Sequence, residues 1–198
     1  MYRTKKVPDD SLVSDYLSGR KKAFDELLAR HQTKLFSYIL FMVRDEDRAN
    51  DLFQETFVKV ISYLHEGKYT ANGKFYSWMA CIAHNVVVDY FRESNEAKFY
   101  DAPNENNLSN TILWSVEIVS REEELVSQQV LADVRKLMES LPASQREIVY
   151  MRYYQDLTFK EIAEVLGISI NTALGRMRYA LINMRKLARK HDMALNVI

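Results

Sequence analysis

Residues 158–187 read TFKEIAEVLGISINTALGRMRYALINMRKL, and this stretch decides the fold. In Thr158-Phe159-Lys160-Glu161 a hydroxyl is followed three residues later by a carboxylate. That is the capping-box pattern, in which Thr158 accepts from the Glu161 amide and Glu161 reaches back to the Thr158 amide. Ile162, Ala163 and Leu166 give the short helix that follows one apolar face. Gly167 falls where a helix ends in a left-handed residue, a conformation glycine adopts at little cost. Ser169 caps a second helix, with Ile170, Ala173, Met177, Leu181 and Met184 as its expected inner face. Two helices, a glycine turn and a small Ala163 where they cross make a helix-turn-helix.

The outer face of the second helix indicates its partner. Six basic residues stand between Ile168 and Lys190 (Arg176, Arg178, Arg185, Lys186, Arg189 and Lys190), and no acidic one. Ser169, Asn171 and Thr172 open the helix, where a helix laid into the major groove meets base edges. A plain helical hairpin with a solvated basic face is the competing reading. Cap, turn and one-sided charge together favour DNA. Ser169, Asn171, Thr172, Arg176, Arg178, Arg185 and Lys186 are therefore the candidate contacts to a duplex.

The chain has 198 residues, with 27 Lys plus Arg against 27 Asp plus Glu, so only the distribution of charge is informative about partners. The single cysteine, Cys81, excludes an internal disulfide and fits a reducing cytoplasm. Met1–Asp10 lacks an apolar core, and the longest apolar run, Tyr38–Val43, is too short to span a bilayer. The expectation is a cytoplasmic protein without membrane insertion. Three prolines and five glycines favour helices throughout, hence an all-α fold.

Upstream, Ala23–Val43 carries Phe24, Leu27, Leu28, Leu35, Tyr38, Ile39 and Met42 at helical spacing. His31 shares that stripe as a core-edge residue, with no second ligand at metal spacing. Nothing in the chain calls for a metal or a cofactor. Asp45–Leu64 repeats the pattern through Ala49, Leu52, Phe53, Thr56, Phe57, Val60, Ile61 and Leu64. Its other face presents Asp51, Gln54, Glu55, Val58 and Ser62, which by physics alone reads as a solvated face.

Gly67–Lys74 breaks the periodicity and reads as an aromatic, basic loop. The helix from about Phe75 to Glu93 has Phe75, Trp78, Met79, Ile82, Ala83, Val86 and Tyr90 along one side, and Asn85, Asp89 and Arg92 along another. Aromatics at such spacing are usually core. Here Tyr69, Phe75, Tyr76 and Trp78 stand beside Lys68 and Lys74, and aromatics interleaved with cations are how single-stranded bases are stacked and their phosphates neutralised. Cys81 and His84 have the spacing of a nucleophile and base but lack an orienting third group, so an enzyme reading is set aside.

From Ser94 the helical pattern fades. Between Glu93 and Glu124 eight acids face two bases, Lys98 and Arg121, which reads as an acidic linker. A second domain begins near Leu125, where Val126, Val130, Val134, Leu137 and Leu141 share a helix face. Pro142 marks a boundary, and Ser144–Tyr154 supplies another helix before the helix-turn-helix. The expected organisation is two small helical domains, 1–93 and 125–198, joined by a linker over 94–124.

Read together, these features resemble the sigma factors of bacterial RNA polymerase, specifically the extracytoplasmic-function group. Asp51-Leu52, Gln54-Glu55-Thr56-Phe57 and Lys59 are similar to that family's core-polymerase-binding helix. Phe75, Trp78, Ile82-Ala83, Asn85, Asp89 and Arg92 resemble its promoter-melting helix. Leu141-Pro142, Gln145-Arg146-Glu147 and the helix-turn-helix through Arg178 resemble its upstream-element domain. The resemblance implies that Asp51, Gln54 and Glu55 lie against a coiled coil of the polymerase's largest subunit, with Leu52 and Val58 in the same binding helix. It makes Lys68, Tyr69, Lys74, Phe75, Trp78, Asn85, Asp89 and Arg92 contacts to the downstream promoter element. Core polymerase and promoter DNA are the implied partners, the acidic linker threads the nucleic-acid cleft, and members are often held by an anti-sigma partner. Where the family commonly has a lysine and a serine in the recognition helix, this chain has Leu174 and Gly175. A self-sufficient helix-turn-helix regulator with an N-terminal sensor or dimerisation module is the alternative.

Overall fold

The computed structural model describes residues 7–93, 134 and 136–190. Among these, every regular element is a helix, and none is long and apolar enough to cross a membrane. The chain divides into two compact units between Tyr90 and Phe91. The acidic stretch expected over 94–124 and the start of the second domain at Leu125–Val130 lie outside the described residues.

In the first unit, α1 (Asp9–Leu17), α2 (Lys21–Val43), α3 (Glu46–His65) and α4 (Phe75–Glu93, as far as Tyr90) enclose one core. Its centre is Leu27, Leu35, Tyr38, Ile39, Val60, Leu64, Phe75 and Met79, all nearly inaccessible. Each helix has a local reason to start or stop. Asp45 caps α3 by accepting from the Arg48 amide at 2.9 Å. Lys74 precedes α4, and its carbonyl accepts from the Trp78 amide at 3.0 Å. The helices expected over 23–43, 45–64 and 75–93 are present with ends shifted by a residue or two. Helix α1 has no counterpart in the periodicity reading. It is nine residues long and buries only Leu12 and Val13, too few apolar positions to register a period.

In the second unit, residues 136–139 are helical and lead to α5 (Ala143–Tyr153), α6 (Phe159–Leu166) and α7 (Ile170–Lys190). Leu137, Met138, Leu141, Ile148 and Met151 form its core, onto which Ile162, Ala163 and Val165 of α6 close. The capping box at Thr158 and Glu161 is complete. Gly167 sits in the left-handed region at φ 62°, its amide donating to the Ala163 carbonyl. The Arg152 guanidinium donates to the Leu157 carbonyl at 3.1 Å and lies over the Phe159 ring, tying α5 to the start of α6.

The inner face of α7 differs from the expected one. Ala173, Met177, Ala180 and Ala188 are buried, whereas Ile170 and Leu181 are 45% and 37% exposed. Hydrophobic spacing had drawn the stripe through the larger side chains. The helices approach closely instead, and alanines fill the contact. Leu181 lines an apolar groove of about 510 Å³ with Val134, Met138, Val149, Tyr153 and Met184.

Candidate nucleic-acid and partner interfaces

Three surfaces carry the residues singled out by sequence. The first is the outward face of α3. Asp51, Gln54, Glu55 and Val58 are exposed there, Val58 at 67%, while Leu52 is buried at 6% and turns inward with Thr56, Phe57 and Val60. Leu52 thus seats the helix and the other four form its face. Glu55 pairs with Lys59 at 2.8 Å, and the Glu55 hydrogen bond holds the Lys59 ammonium above the usual lysine range, with Asp89 of α4 adding to the effect. An exposed i, i+4 pair of this kind contributes little stability. A large apolar side chain in water amid carboxylates has no role in the fold of this unit.

The second surface is the 66–74 loop with α4. Asn85 and Arg92 are exposed and Asp89 is half-buried, at i, i+7 and i+4 on one line of α4; Val88, 37% exposed, stands beside them. The aromatics are arranged differently from a set of free stacking platforms. Phe75 is buried at 1%, and Tyr69, Phe75 and Trp78 pack on one another with ring centroids 5.0–5.8 Å apart. Tyr69 is half-buried and its hydroxyl donates to Asp10 of α1, whose other oxygen accepts from the Gly73 amide at 2.8 Å. Burial, and then the Asp10 carboxylate, push the Tyr69 hydroxyl well above the usual tyrosine range, so it stays a donor. Asp10 thereby latches the aromatic, basic loop. Lys68 pairs with Glu66 at 2.6 Å and lies over the Tyr63 ring, while Lys74 is half-buried with its amide donating to Asn72 Oδ1. Asp10 is the residue the sequence reading missed. Pro8-Asp9-Asp10, a proline and two acids where a helix can begin, was the available signal.

His31 sits at the core edge, hydrogen-bonded to Asp9 at 2.8 Å and flanked by the rings of Phe75 and Tyr76. His84 Nδ1 is within 3.0 Å of the Tyr38 hydroxyl. The His84 ring is half-buried.

The third surface is the outer side of α7. Ser169 Oγ accepts from the Thr172 amide at 3.0 Å and meets the Thr172 hydroxyl at 2.8 Å, so both are used in starting the helix. Asn171, Leu174, Arg178 and Tyr179 are exposed, as are Arg185 and Lys186 further along. Arg176 differs from Arg178. It is half-buried and shares a line with Thr172 and Asn183, and Asn183 donates to Gln145 of α5 at 2.8 Å. At its far end that line meets α5 through Asn183, whereas Arg178 is exposed.

Residues 27–96 match the family model described as Sigma-70 region 2, and residues 131–178 match the one described as Sigma-70, region 4. The first match begins in α2 and runs beyond α4; the second ends in α7 at Arg178. The RNA polymerase sigma-H factor of Pseudomonas aeruginosa is 25% identical over 180 residues, covering 85% of this chain and 88% of that protein. The ECF RNA polymerase sigma factor SigW of Bacillus subtilis is 24% identical over 179 residues, covering 89% of this chain and 95% of that protein. The same fold occurs in the sigma factor RpoE solved with the anti-sigma factor NepR from Bartonella quintana, with a TM-score of 0.59 at 19% identity over 85% of this chain and 98% of that one.

Proposed function

The chain belongs to the extracytoplasmic-function group of the sigma-70 family and directs promoter-specific transcription initiation, and on that footing we propose a division of labour among its parts. Residues 1–93 bind core RNA polymerase and open the downstream promoter element, residues 125–198 read the upstream element, and 94–124 form the acidic connection. The chain works in the cytoplasm, without a cofactor and without catalysis of its own.

Core polymerase docks on the outward face of α3. The observation that carries this is Val58, 67% exposed and set among Asp51, Gln54 and Glu55. A protein interface is built from a few apolar anchors inside a polar rim, and this face has that composition. Asn85, Asp89 and Arg92 of α4 hydrogen-bond unpaired bases or their backbone. Trp78 supplies a stacking edge, with Phe75 and Tyr69 holding it in place, and Lys68 and Lys74 add salt-dependent attraction to the strand. On α7, Asn171 and Arg178 read base edges, Ser169 and Thr172 fix the helix start, and Arg185 and Lys186 meet phosphates. The sigma factor RpoE of the Bartonella quintana complex is bound by an anti-sigma factor, and a partner of that class is proposed for this chain as well.

The test is reconstitution. Core polymerase given the purified chain should initiate at specific promoters, and tagged chain should recover core subunits stoichiometrically from its native cell. A folded Val58→Asp variant that recovers core subunits as well as the parent does would refute the α3 docking face.

A further inference from the structure

Asn171, Leu174, Gly175 and Arg178 stand at i, i+3, i+4 and i+7 on α7, the corners of one cell on the helix surface. Ala173, Met177 and Ala180 are buried on the opposite side. Three corners carry exposed side chains, Leu174 at 45%. The fourth carries none. A glycine inside a helix weakens it relative to alanine, so its place there calls for a reason. Packing supplies none, because a methyl added at Gly175 would meet nothing within 4 Å beyond its chain neighbours and the adjacent helix backbone. Backbone conformation supplies none either, since Gly175 is absent from the glycines with positive φ. The bare corner lets a partner come closer to the helix axis than any side chain would allow.

The neighbours indicate the partner's chemistry. No acidic residue occurs between Ile168 and Lys190, and Arg178 borders the notch, so a polyanion is favoured. Asn171 suits the donor and acceptor edge of adenine, and Arg178, a donor only, suits the two acceptors of guanine. Leu174 can hydrogen-bond to neither. The one apolar group a base edge presents in the major groove is the C5 methyl of thymine. We infer that Leu174 and Gly175 form a seat for a thymine methyl in the upstream promoter element and set a base preference there. The inference rests on α7 being the helix that enters the major groove. It gives a function to the two positions where this chain departs from the lysine and serine common in the family.

To test it, a duplex pool randomised over the upstream element is selected with the full chain bound to core RNA polymerase. The selected duplex is then remade with each thymine in turn replaced by deoxyuridine, which lacks only the methyl. At one position the replacement should weaken wild-type binding about fourfold, the effect of losing one methyl-sized apolar contact. Leu174→Ala should bind the thymine and uracil duplexes alike. Gly175→Ala should raise the melting temperature yet weaken binding to the thymine duplex, which separates a filled notch from a folding defect. If uracil costs nothing at any position, or Leu174→Ala keeps the full thymine preference, the seat is wrong while the groove role of α7 stands. If the pool yields no upstream motif at all, the groove role fails and the seat with it.

Discussion

Asp10 of α1 accepts the Gly73 amide at 2.8 Å, and its second carboxylate oxygen takes the Tyr69 hydroxyl. One residue near the start of the chain therefore holds both ends of the loop that leads into α4. The surface proposed to meet separated DNA is preorganised by this latch, with Trp78 aligned by Tyr69 and Phe75 behind it.

Removing the latch should loosen the loop and leave the four-helix core intact. Hydrogen bonds to a charged acceptor contribute about 1.5–3 kcal/mol each, less where water competes. Asp10→Ala is expected to speed hydrogen exchange at the Gly73 amide by about tenfold or more, equivalent to about 1.4 kcal/mol. Unchanged exchange there would mean the loop holds itself. The Tyr69 hydroxyl adds a pH dependence with a definite sign. Its folded pKa is raised above the unfolded value near ~10, so its contribution is complete below about pH 10 and is lost as pH climbs through the folded value. Tyr69→Phe should flatten that alkaline loss.

Charge reversal on α3 should separate binding from folding. Asp51 and Glu55 are exposed, and breaking the Glu55–Lys59 pair costs about 0.3–0.5 kcal/mol. The double variant Asp51→Lys, Glu55→Lys should melt within a few degrees of the parent while its affinity for core polymerase falls by at least about tenfold, some 1.4 kcal/mol. Equal affinity in a well-folded double variant would return this face to simple solvation.

Arg176 and Arg178 should not behave alike. Arg178→Ala is expected to cost about 1–3 kcal/mol in upstream-element binding and to relax preference at one base position. Arg176, half-buried on the line toward α5, should register mainly as lost stability of the second unit, with base preference retained. A selection experiment with both variants decides this, and reversed outcomes would exchange their roles.

Strand opening should depend on Asn85 in a way that a pre-opened template cures. Asn85 is exposed on α4 and packs nothing in the core, so Asn85→Ala should fold normally. Permanganate reactivity of promoter thymines should fall with the variant holoenzyme and recover on a bubble template. Failure of the bubble to rescue would place the defect outside melting.

What the sequence determined by itself was local. The capping box at Thr158 and Glu161, the left-handed Gly167 and the Ser169 cap are interactions within four residues, so their chemistry is written in the order of the chain. The same holds for the outward face of α3, since Asp51, Glu55 and Val58 recur at the helical period whatever α3 packs against. Tertiary structure decided what depends on partners distant in sequence. Asp10 reaches residues 59 and 63 positions away, and no periodicity encodes such a bond. Tyr69, Phe75 and Trp78 carried the same residue types whether they stack bases or one another, and only packing sorted them into a supported cluster. Ile170 and Leu181 were drawn inward by hydrophobicity. Close contact through Ala173 and Ala180 turned them out, because a tightly packed interface selects for side chains that fit rather than for the most apolar ones.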